Sequence, residues 1–269
     1  MRLDLRQKGW LAVSNLNVLT AVLLAAFILI VSSSSSYAQR LPANLNWGKK
    51  VSNASDNKPP VPWKEQFHPD IKAHTQFELQ AAVDGDSWLK ISADKAYGSW
   101  AYSFGKPGAV VQNLSWQWRV EQHPTGANLR TKQGDDTAVK VCVFIAVDEG
   151  KISLTQRMAL GAARTLSGQD LPAATLCYVW VASGEEVGKV FDNPYTNRVK
   201  NIVLRAQEAG LSANAGSFTE TRNIQIDARK AFGAELPDGD VRLLGLAVGG
   251  DSDNTQSKSV GYVRSIRVK

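Results

Sequence analysis

Short stretches of alternating hydrophobic and polar residues recur along most of the chain, and this period of two residues predicts β-strands. The stretches are rich in Val, Ile, Trp and Tyr and are separated by Gly, Asp, Asn and Pro, which are typical of turns. The connections are too irregular in length for a propeller or a solenoid. The predicted strands lie at residues 75–83, 88–92, 99–104, 114–121, 137–147, 175–182, 200–206, 222–225, 242–248 and 261–268.

The strand predicted at 114–121 shows the pattern most clearly. One face carries Leu114, Trp116, Trp118 and Val120. Because so large an apolar surface is unfavourable in water, this face is predicted to lie in the core. The opposite face, which we expect to point outward, carries Ser115, Gln117, Arg119 and Glu121. In the strand at 137–147, alternate apolar residues predict a second core stripe.

Helical patterns are few. One covers 154–166, although Gly161 weakens it, and a shorter one covers 226–232 and is stopped by Gly233. Neither helix alternates with strands as in βαβ units, so the fold class is all-β. Ten short antiparallel strands in one domain are best buried in a two-sheet β-sandwich, with a jelly roll as the favoured topology and a closed barrel as the alternative.

The N-terminus has the features of an export signal. Residues 18–31 form an uncharged apolar run after a basic start, and Ala38 ends a stretch of small residues suited to cleavage. An uncleaved anchor helix is the alternative, but the run is short for the ~20 residues that span a bilayer. We therefore expect a signal peptide at 1–38, a polar Pro-containing leader at 39–66 with Trp63 docked on the domain, and one β-sandwich domain at 67–269. The protein is then periplasmic or secreted, with no stable membrane span after cleavage.

Charge and cysteine content narrow the picture further. The chain has 31 Lys and Arg and 25 Asp and Glu, for a net charge of +6, and the two signs are interspersed. This pattern does not favour nucleic-acid binding. Cys142 and Cys177 both lie in apolar strands. If the valines mark the core face of both strands, the two thiols point to opposite faces, so we expect them to be unpaired.

Two acidic clusters are candidates for chemistry. Asp135 and Asp136 directly precede the valine-rich strand, and the segment 251–255 (Asp-Ser-Asp-Asn-Thr) follows a later strand. Alternating side-chain oxygens suit calcium, so Asp251, Asp253 and Thr255 are candidate metal ligands, although an ordinary Asx-type turn explains the segment as well. No metal-binding motif involves His68, His74 or His123, and each is expected to be solvated.

A third polar group is formed by Glu220 and Arg222, which alternate onto one strand face. They could pair with each other or reach outward together with Arg119. The residues predicted to bind a ligand are Gln117, Arg119, Asp135, Asp136, Glu220, Arg222 and Asn254. A weakly contributing surface ion pair is the alternative for Glu220 and Arg222.

Several motifs occur together in one order along the chain. They are Trp-Gln-Trp-Arg-Val at 116–120, Gly-Asp-Asp at 134–136, Tyr-Val-Trp at 178–180, Asn-Pro-Tyr at 193–195, Glu-Thr-Arg at 220–222, Ala-Phe-Gly at 231–233 and Asp-Ser-Asp-Asn-Thr at 251–255. Over residues 63–269 the chain thus resembles a bacterial exported family called domain of unknown function 3047. The chain departs from the family pattern at Thr137 and in having two cysteines. The resemblance implies an exported β-rich domain similar to carbohydrate-binding jelly rolls, of the galactose-binding kind, and supplies no catalytic residues.

Three functional hypotheses remain. The first is a non-catalytic module that binds a glycan or another envelope component, because sandwiches bind sugars with aromatic and a few polar side chains. The second is a structural or interaction protein of the cell envelope, whose acidic motifs only fix its loops. The third is a glycan hydrolase or lyase that uses paired carboxylates.

Overall fold

The computed structural model describes residues 41–45, 47, 59–67, 70–82, 86–168, 170–182, 187–207 and 216–269. They belong to one compact unit, Gln39–Lys269. The predicted signal peptide at 1–38 and much of the predicted leader lie outside the described residues. Within the described part, no helix is both long and apolar enough to cross a membrane.

The described residues form two β-sheets and two α-helices. The strands are β1 (Lys64–Gln66), β2 (Gln76–Gln80), β3 (Trp88–Asp94), β4 (Ser99–Ser103), β5 (Ala109–Val110), β6 (Asn113–Gln122), β7 (Lys140–Ile145), β8 (Thr175–Val181), β9 (Val190–Asn193), β10 (Thr196–Ala206), β11 (Phe218–Asn223), β12 (Arg242–Gly249) and β13 (Lys258–Val268). The helices are α1 (Leu154–Ser167) and α2 (Ile224–Phe232).

The eight-stranded sheet has the order β1-β4-β12-β7-β8-β10-β9, with β5 paired to β12, and the five-stranded sheet has the order β11-β6-β13-β3-β2. All pairs are antiparallel except β8 with β10, which is parallel. The predicted β-sandwich is confirmed. The jelly roll is not confirmed, and the prediction that all strands are antiparallel is wrong for this one pair.

The core lies between the sheets and is rich in aromatic rings. The rings of Trp116 and Tyr178 are 5.2 Å apart, and those of Trp118 and Trp180 are 5.8 Å apart, so β6 of one sheet packs on β8 of the other. Trp116 and Trp118 are completely buried, which confirms the core face predicted from their alternation. Trp63 is also buried, together with Leu45 and Trp47.

Both predicted helices are present, and their ends follow from capping. At the start of α1, Ser153 and Gln156 form a reciprocal capping box. The Asn223 side chain accepts a hydrogen bond from the Ile226 amide, so α2 begins at Ile224. The strand predicted at 222–225 is therefore shifted: β11 lies earlier in the chain and ends at this cap. Strands β1, β5 and β9 were not predicted from the sequence.

Cys142 and Cys177 form a disulfide, so the prediction of two unpaired thiols is wrong. The two residues are directly opposite each other on β7 and β8. The error lies in β8, where Tyr178 and Trp180 point into the inter-sheet core and Val179 points to the outer face. Both cysteines therefore share the outer face, where they pack in a second apolar cluster.

Candidate functional site

The outer face of the five-stranded sheet brings together aromatic and cationic side chains from three strands. Tyr262 of β13 is directly opposite Arg119 of β6 on one side and Lys90 of β3 on the other. Two residues further along β13, Arg264 is opposite Gln117 of β6. Because side chains alternate between faces, these residues share the surface turned away from the core.

Arg119 is held in place by the rings beneath it. Its guanidinium carbon lies 3.6 Å from the centre of the Tyr262 ring and 5.7 Å from that of Trp88. Arg264 stacks on Trp88 from its own position, at 4.4 Å. Cation–π contacts of this kind fix the plane of a guanidinium group while leaving its N–H edge able to donate.

Hydrogen bonds complete this arrangement. Arg264 Nε donates to Gln117 Oε1 at 2.8 Å, and the Tyr262 hydroxyl donates to Glu121 Oε2 at 2.6 Å. Burial and the bond to Glu121 raise the pKa of Tyr262 to about 12. The hydroxyl therefore stays protonated at neutral pH. We call the set Trp88, Lys90, Gln117, Arg119, Tyr262 and Arg264 the cationic face.

A second group of polar residues lies at one end of the sandwich. The loop before β7 supplies Asp136, and the loop between β12 and β13 supplies Asp251 and Asp253. One carboxylate oxygen from each of these residues lies within 4.8 Å of the other two. The structure thus joins Asp136 to two of the predicted metal ligands, and we call the three residues the acidic cluster.

Most oxygens of the acidic cluster accept hydrogen bonds from the protein. Asp251 accepts from the Thr137 amide at 2.7 Å and from Lys140 Nζ. Asp136 accepts from the backbone amides of Asn254 at 3.2 Å and Thr255 at 2.6 Å. These bonds tie the two loops together.

Asp253 is the exception. Its Oδ1 atom is buried and has no hydrogen-bond partner among the described residues. Such an atom loses its hydration without compensation, which is unfavourable for a carboxylate oxygen. Thr255, the third predicted metal ligand, places its hydroxyl 2.8 Å from that of Ser257.

Burial and mutual repulsion alter the protonation of these groups. Burial raises the pKa of Asp251 to about 7, although Lys140 lowers it, and the charge of Asp136 adds to the increase. Burial also raises the pKa of Asp253 and of Asp135. Three carboxyl groups thus lie beside the single Lys140 ammonium group, and burial opposes the ionisation of Asp251 and Asp253.

The predicted ligand residues Asp135 and Asn254 lie beside the acidic cluster. Asp135 accepts a hydrogen bond from Asn193 at 2.6 Å. The Asn254 side chain donates to Asp136 and accepts from the Tyr195 hydroxyl at 2.6 Å. Both side chains thus hold the β9–β10 turn against the loops of the cluster.

Glu220 and Arg222 face the interior of the sandwich. Glu220 accepts from the indole of Trp118 at 3.1 Å and from Arg205 at 2.5 Å. Arg222 forms two hydrogen bonds to Asp227, at 2.8 and 2.7 Å. The prediction that they pair with each other or reach outward with Arg119 is wrong, because β11 turns both side chains to the face of Trp118 while Arg119 is on the other.

A cavity of about 200 Å³ opens next to the acidic cluster. Asp136, Trp180 and His123 are among the residues that line it. Burial lowers the pKa of His123 to about 4. His123 is half-buried at this cavity. His74 is exposed and stacks on Phe67, and His68 lies outside the described residues.

Comparison with known proteins places the chain in a family. Residues 61–267 match the family described as Protein of unknown function (DUF3047). The chain belongs to this family. The resemblance expected from the ordered motifs is thereby confirmed. The comparison with curated proteins gave no match.

Among solved structures, this DUF3047 protein is similar to the xyloglucanase domain of NopAA, a type three effector from Sinorhizobium fredii, determined in complex with cellobiose. The sequence identity is 13%, the TM-score is 0.38, and the match covers 77% of this chain and 93% of that one.

Sequence reasoning identified part of each site in the DUF3047 protein. It singled out Gln117 and Arg119 because their strand alternates, and this outward row is confirmed. It did not identify Trp88, Tyr262 or Arg264 as their neighbours, because the pairing of β6, β13 and β3 has no local signal. Alternation within the predicted strands does place Trp88 and Tyr262 on definite faces, and this was the signal available.

Proposed function

We propose that this DUF3047 protein is a non-catalytic module that binds a glycan or another polyhydroxylated component of the cell envelope through its cationic face. The proposal rests on the surroundings of Arg119. Its guanidinium group is stacked on Tyr262 and forms no ion pair with any residue in the described part of the chain. A donor that is fixed in this way and has no carboxylate partner is suited to bind an external ligand.

The chemistry of the cationic face fits a sugar. Pyranose rings present C–H groups that pack on aromatic surfaces and hydroxyls that accept hydrogen bonds from Arg or amide groups. Trp88 is only half-buried and lies between Arg119 and Arg264. The face thus combines an apolar surface with donors on both sides of it.

Binding to a panel of cell-envelope and plant polysaccharides, measured by affinity electrophoresis with protein expressed from the full-length chain, tests this proposal. We expect binding that Trp88→Ala weakens by at least tenfold. A buried aromatic residue at the centre of a binding surface typically contributes more than about 1 kcal/mol to the binding free energy. Tyr195→Ala is the matched control, because Tyr195 is an exposed aromatic residue at the acidic cluster. Loss of binding in the Tyr195 variant alone would move the site to the end of the sandwich, and no binding across the panel would contradict the proposal.

Export is part of the same proposal. It is supported by the basic start, the apolar run at 18–31 and the small residues before the expected cut at Ala38. We propose a periplasmic or secreted protein, whose partners are then the glycans and other components outside the cytoplasm. N-terminal sequencing of protein recovered from the producing cell tests the cut, and an intact N-terminus would contradict it.

We also propose that the acidic cluster binds calcium. Calcium prefers 6–8 oxygen ligands, and carboxylate oxygens from Asp136, Asp251 and Asp253 converge here. The oxygen of Asp253 without a protein partner supports a ligand role. Thr255 contributes through its backbone N–H group, which donates a hydrogen bond to the Asp136 carboxylate and orients it.

Thermal unfolding in millimolar calcium and in chelator tests the cation site. Binding to the folded state alone raises the midpoint by mass action. We expect an increase in calcium that Asp253→Asn abolishes, with Asp94→Asn, an exposed residue paired to Lys258 elsewhere, as the control. Identical midpoints in calcium and in chelator would contradict calcium binding and leave the glycan proposal unaffected.

A structural or interaction role in the envelope is the second candidate. It is favoured by the internal pairing of Glu220 with Arg205 and of Asp227 with Arg222. The same pairing disfavours the hydrolase or lyase hypothesis, since a catalytic acid or base must reach a substrate. A capture experiment in which the envelope fraction retains the protein after its polysaccharides are digested would favour the structural role over glycan binding.

A further inference from the structure

We infer that the ligand of the cationic face is an acidic glycan, a polysaccharide whose sugars carry carboxylates. This inference rests on the proposed function and specifies the class of sugar. A carboxylate is the counter-charge that Arg119 and Lys90 lack among the described residues.

Three cations converge on this surface from three neighbouring strands. Arg119 and Lys90 stand on either side of Tyr262, two strands apart, and so about 10 Å from each other at the backbone. Arg264 is on the strand between them, two residues after Tyr262. Neither Arg119 nor Lys90 has an ion-pair partner within the described ranges.

Two acidic residues share the face and lie at its margins. Glu121 accepts the hydroxyl of Tyr262. Glu78, on the edge strand β2, is directly opposite Lys90. Lys258 and Asp94 form an ion pair with each other, so together they add no net charge. Arg264 has partners of its own, among them the backbone oxygen of Asp86, so the positive charge available at the centre of the face is that of Arg119 and Lys90.

The position of the Arg119 guanidinium group over the Tyr262 ring favours a carboxylate as its partner. A guanidinium group that lies flat on an aromatic ring directs its N–H groups sideways, along the sheet surface. In that plane it can donate two parallel hydrogen bonds to a carboxylate. The Arg119 guanidinium carbon lies 5.7 Å from the centre of the Trp88 ring, so a sugar that packs beside Trp88 brings its ring substituents close to Arg119. We therefore expect a carboxylate on that sugar to pair with Arg119.

Charge neutralisation adds to this selectivity. A half-buried guanidinium without a counter-ion gains more from a carboxylate than from a neutral hydroxyl, because hydrogen bonds with both partners charged are the stronger ones. A neutral glycan could use Trp88, but would leave Arg119 and Lys90 uncompensated. The face is therefore expected to prefer polyuronates to neutral chains of the same shape.

The test compares polyuronates with their carboxyl-reduced counterparts, using polygalacturonate, alginate and hyaluronate at constant ionic strength. We expect at least one polyuronate to bind, and its reduced form to bind at least tenfold more weakly, as the loss of a charged hydrogen-bonded pair predicts. Arg119→Gln should weaken polyuronate binding by about the same factor and weaken binding of the reduced form much less, because a neutral hydroxyl loses only a hydrogen bond and no charge pairing.

Arg157→Gln is the matched control, because it removes the same charge from the exposed surface of α1. Dextran sulfate serves as a generic polyanion. Equal losses in the Arg119 and Arg157 variants, or binding to dextran sulfate as tight as to the polyuronate, would indicate unspecific attraction and overturn the inference. Equal binding of acidic and reduced chains, lost in Trp88→Ala, would overturn the inference but uphold glycan binding. No binding to either form or to neutral glycans would overturn both.

Discussion

Lys140 and Asp251 form a buried ion pair at the point where the loops before β7 and after β12 meet. Their side chains are 21% and 3% exposed, and Asp251 is also bonded to the Thr137 amide. The pair therefore joins strand β7 to the loop that connects the two sheets. Its energetic role differs according to whether one or both charges are removed.

We expect Lys140→Met to lower the free energy of unfolding by about 3–5 kcal/mol at pH 8, because it leaves a buried carboxylate without its counter-charge. The double variant with Asp251→Asn should recover much of this loss, since the amide oxygen still accepts from Thr137. Urea unfolding of the four proteins in a double-mutant cycle measures the coupling. Losses that simply add would show that the two residues do not act as a pair.

The disulfide between Cys142 and Cys177 should also be worth several kcal/mol. Its partners are 35 residues apart in sequence. A cross-link of that loop length restricts the unfolded chain and is expected to contribute about 4 kcal/mol. We expect reduction to lower the urea midpoint of the protein, and to have no effect on a variant with both cysteines changed to alanine. Mass spectrometry without reductant should show the loss of both thiol hydrogens, and its absence would contradict the bond.

His123 should make the fold less stable in acid. Burial lowers its pKa to about 4, whereas an unfolded histidine has a pKa of about 6.5. As pH falls from 7 to 4.5, the unfolded chain takes up a proton that the folded chain does not, so the free energy of unfolding decreases. We expect His123→Gln to lose less stability than the original protein over this range in urea titrations. Identical pH profiles would mean that the imidazole is accessible to solvent in the folded state.

Gly261 and Gly161 should respond in opposite ways to alanine. A Cβ atom at Gly261 would lie 2.4 Å from the carbonyl oxygen of Ala138 and 2.7 Å from Val139 Cβ, in the segment that leads into β7 of the other sheet. We expect Gly261→Ala to destabilise the protein by about 2 kcal/mol or more. Gly161 in α1 has open space around it, so Gly161→Ala should stabilise by about 0.5–1 kcal/mol. Thermal unfolding of both variants would reveal the difference, and a neutral Gly261→Ala would show that the sheets can separate locally.

Much of the sandwich could be predicted, because a strand that is buried on one side has apolar and polar residues in alternation along its sequence. Trp116 and Trp118 are two residues apart, and their area alone requires a buried face. The same reasoning failed for Cys177. In β8 both faces are buried, one against the other sheet and one in the outer apolar cluster, so hydrophobicity did not distinguish them.

The sites were less predictable because they depend on contacts between distant segments. Asp136 and Asp251 are both in short acidic motifs, but only the pairing of β7 with β12 brings them together. Tyr262 meets Arg119 through the register of β13 on β6. Neither register has a local sequence signal, since it is fixed by the packing of the complete sheets.

The position of β13 has a consequence for how the protein acquires its structure. This strand lies in the middle of the five-stranded sheet and is hydrogen-bonded to both β6 and β3, yet it is formed by residues 258–268. Ribosomes deliver the chain from its N-terminus, so β3 and β6 are made long before the strand that separates them. Each can pair with its outer neighbour, β2 or β11, but the two halves of the sheet cannot be joined until residues 258–268 have been synthesised. The five-stranded sheet, with its Arg119–Tyr262 contact, therefore assembles only after translation has passed residue 268.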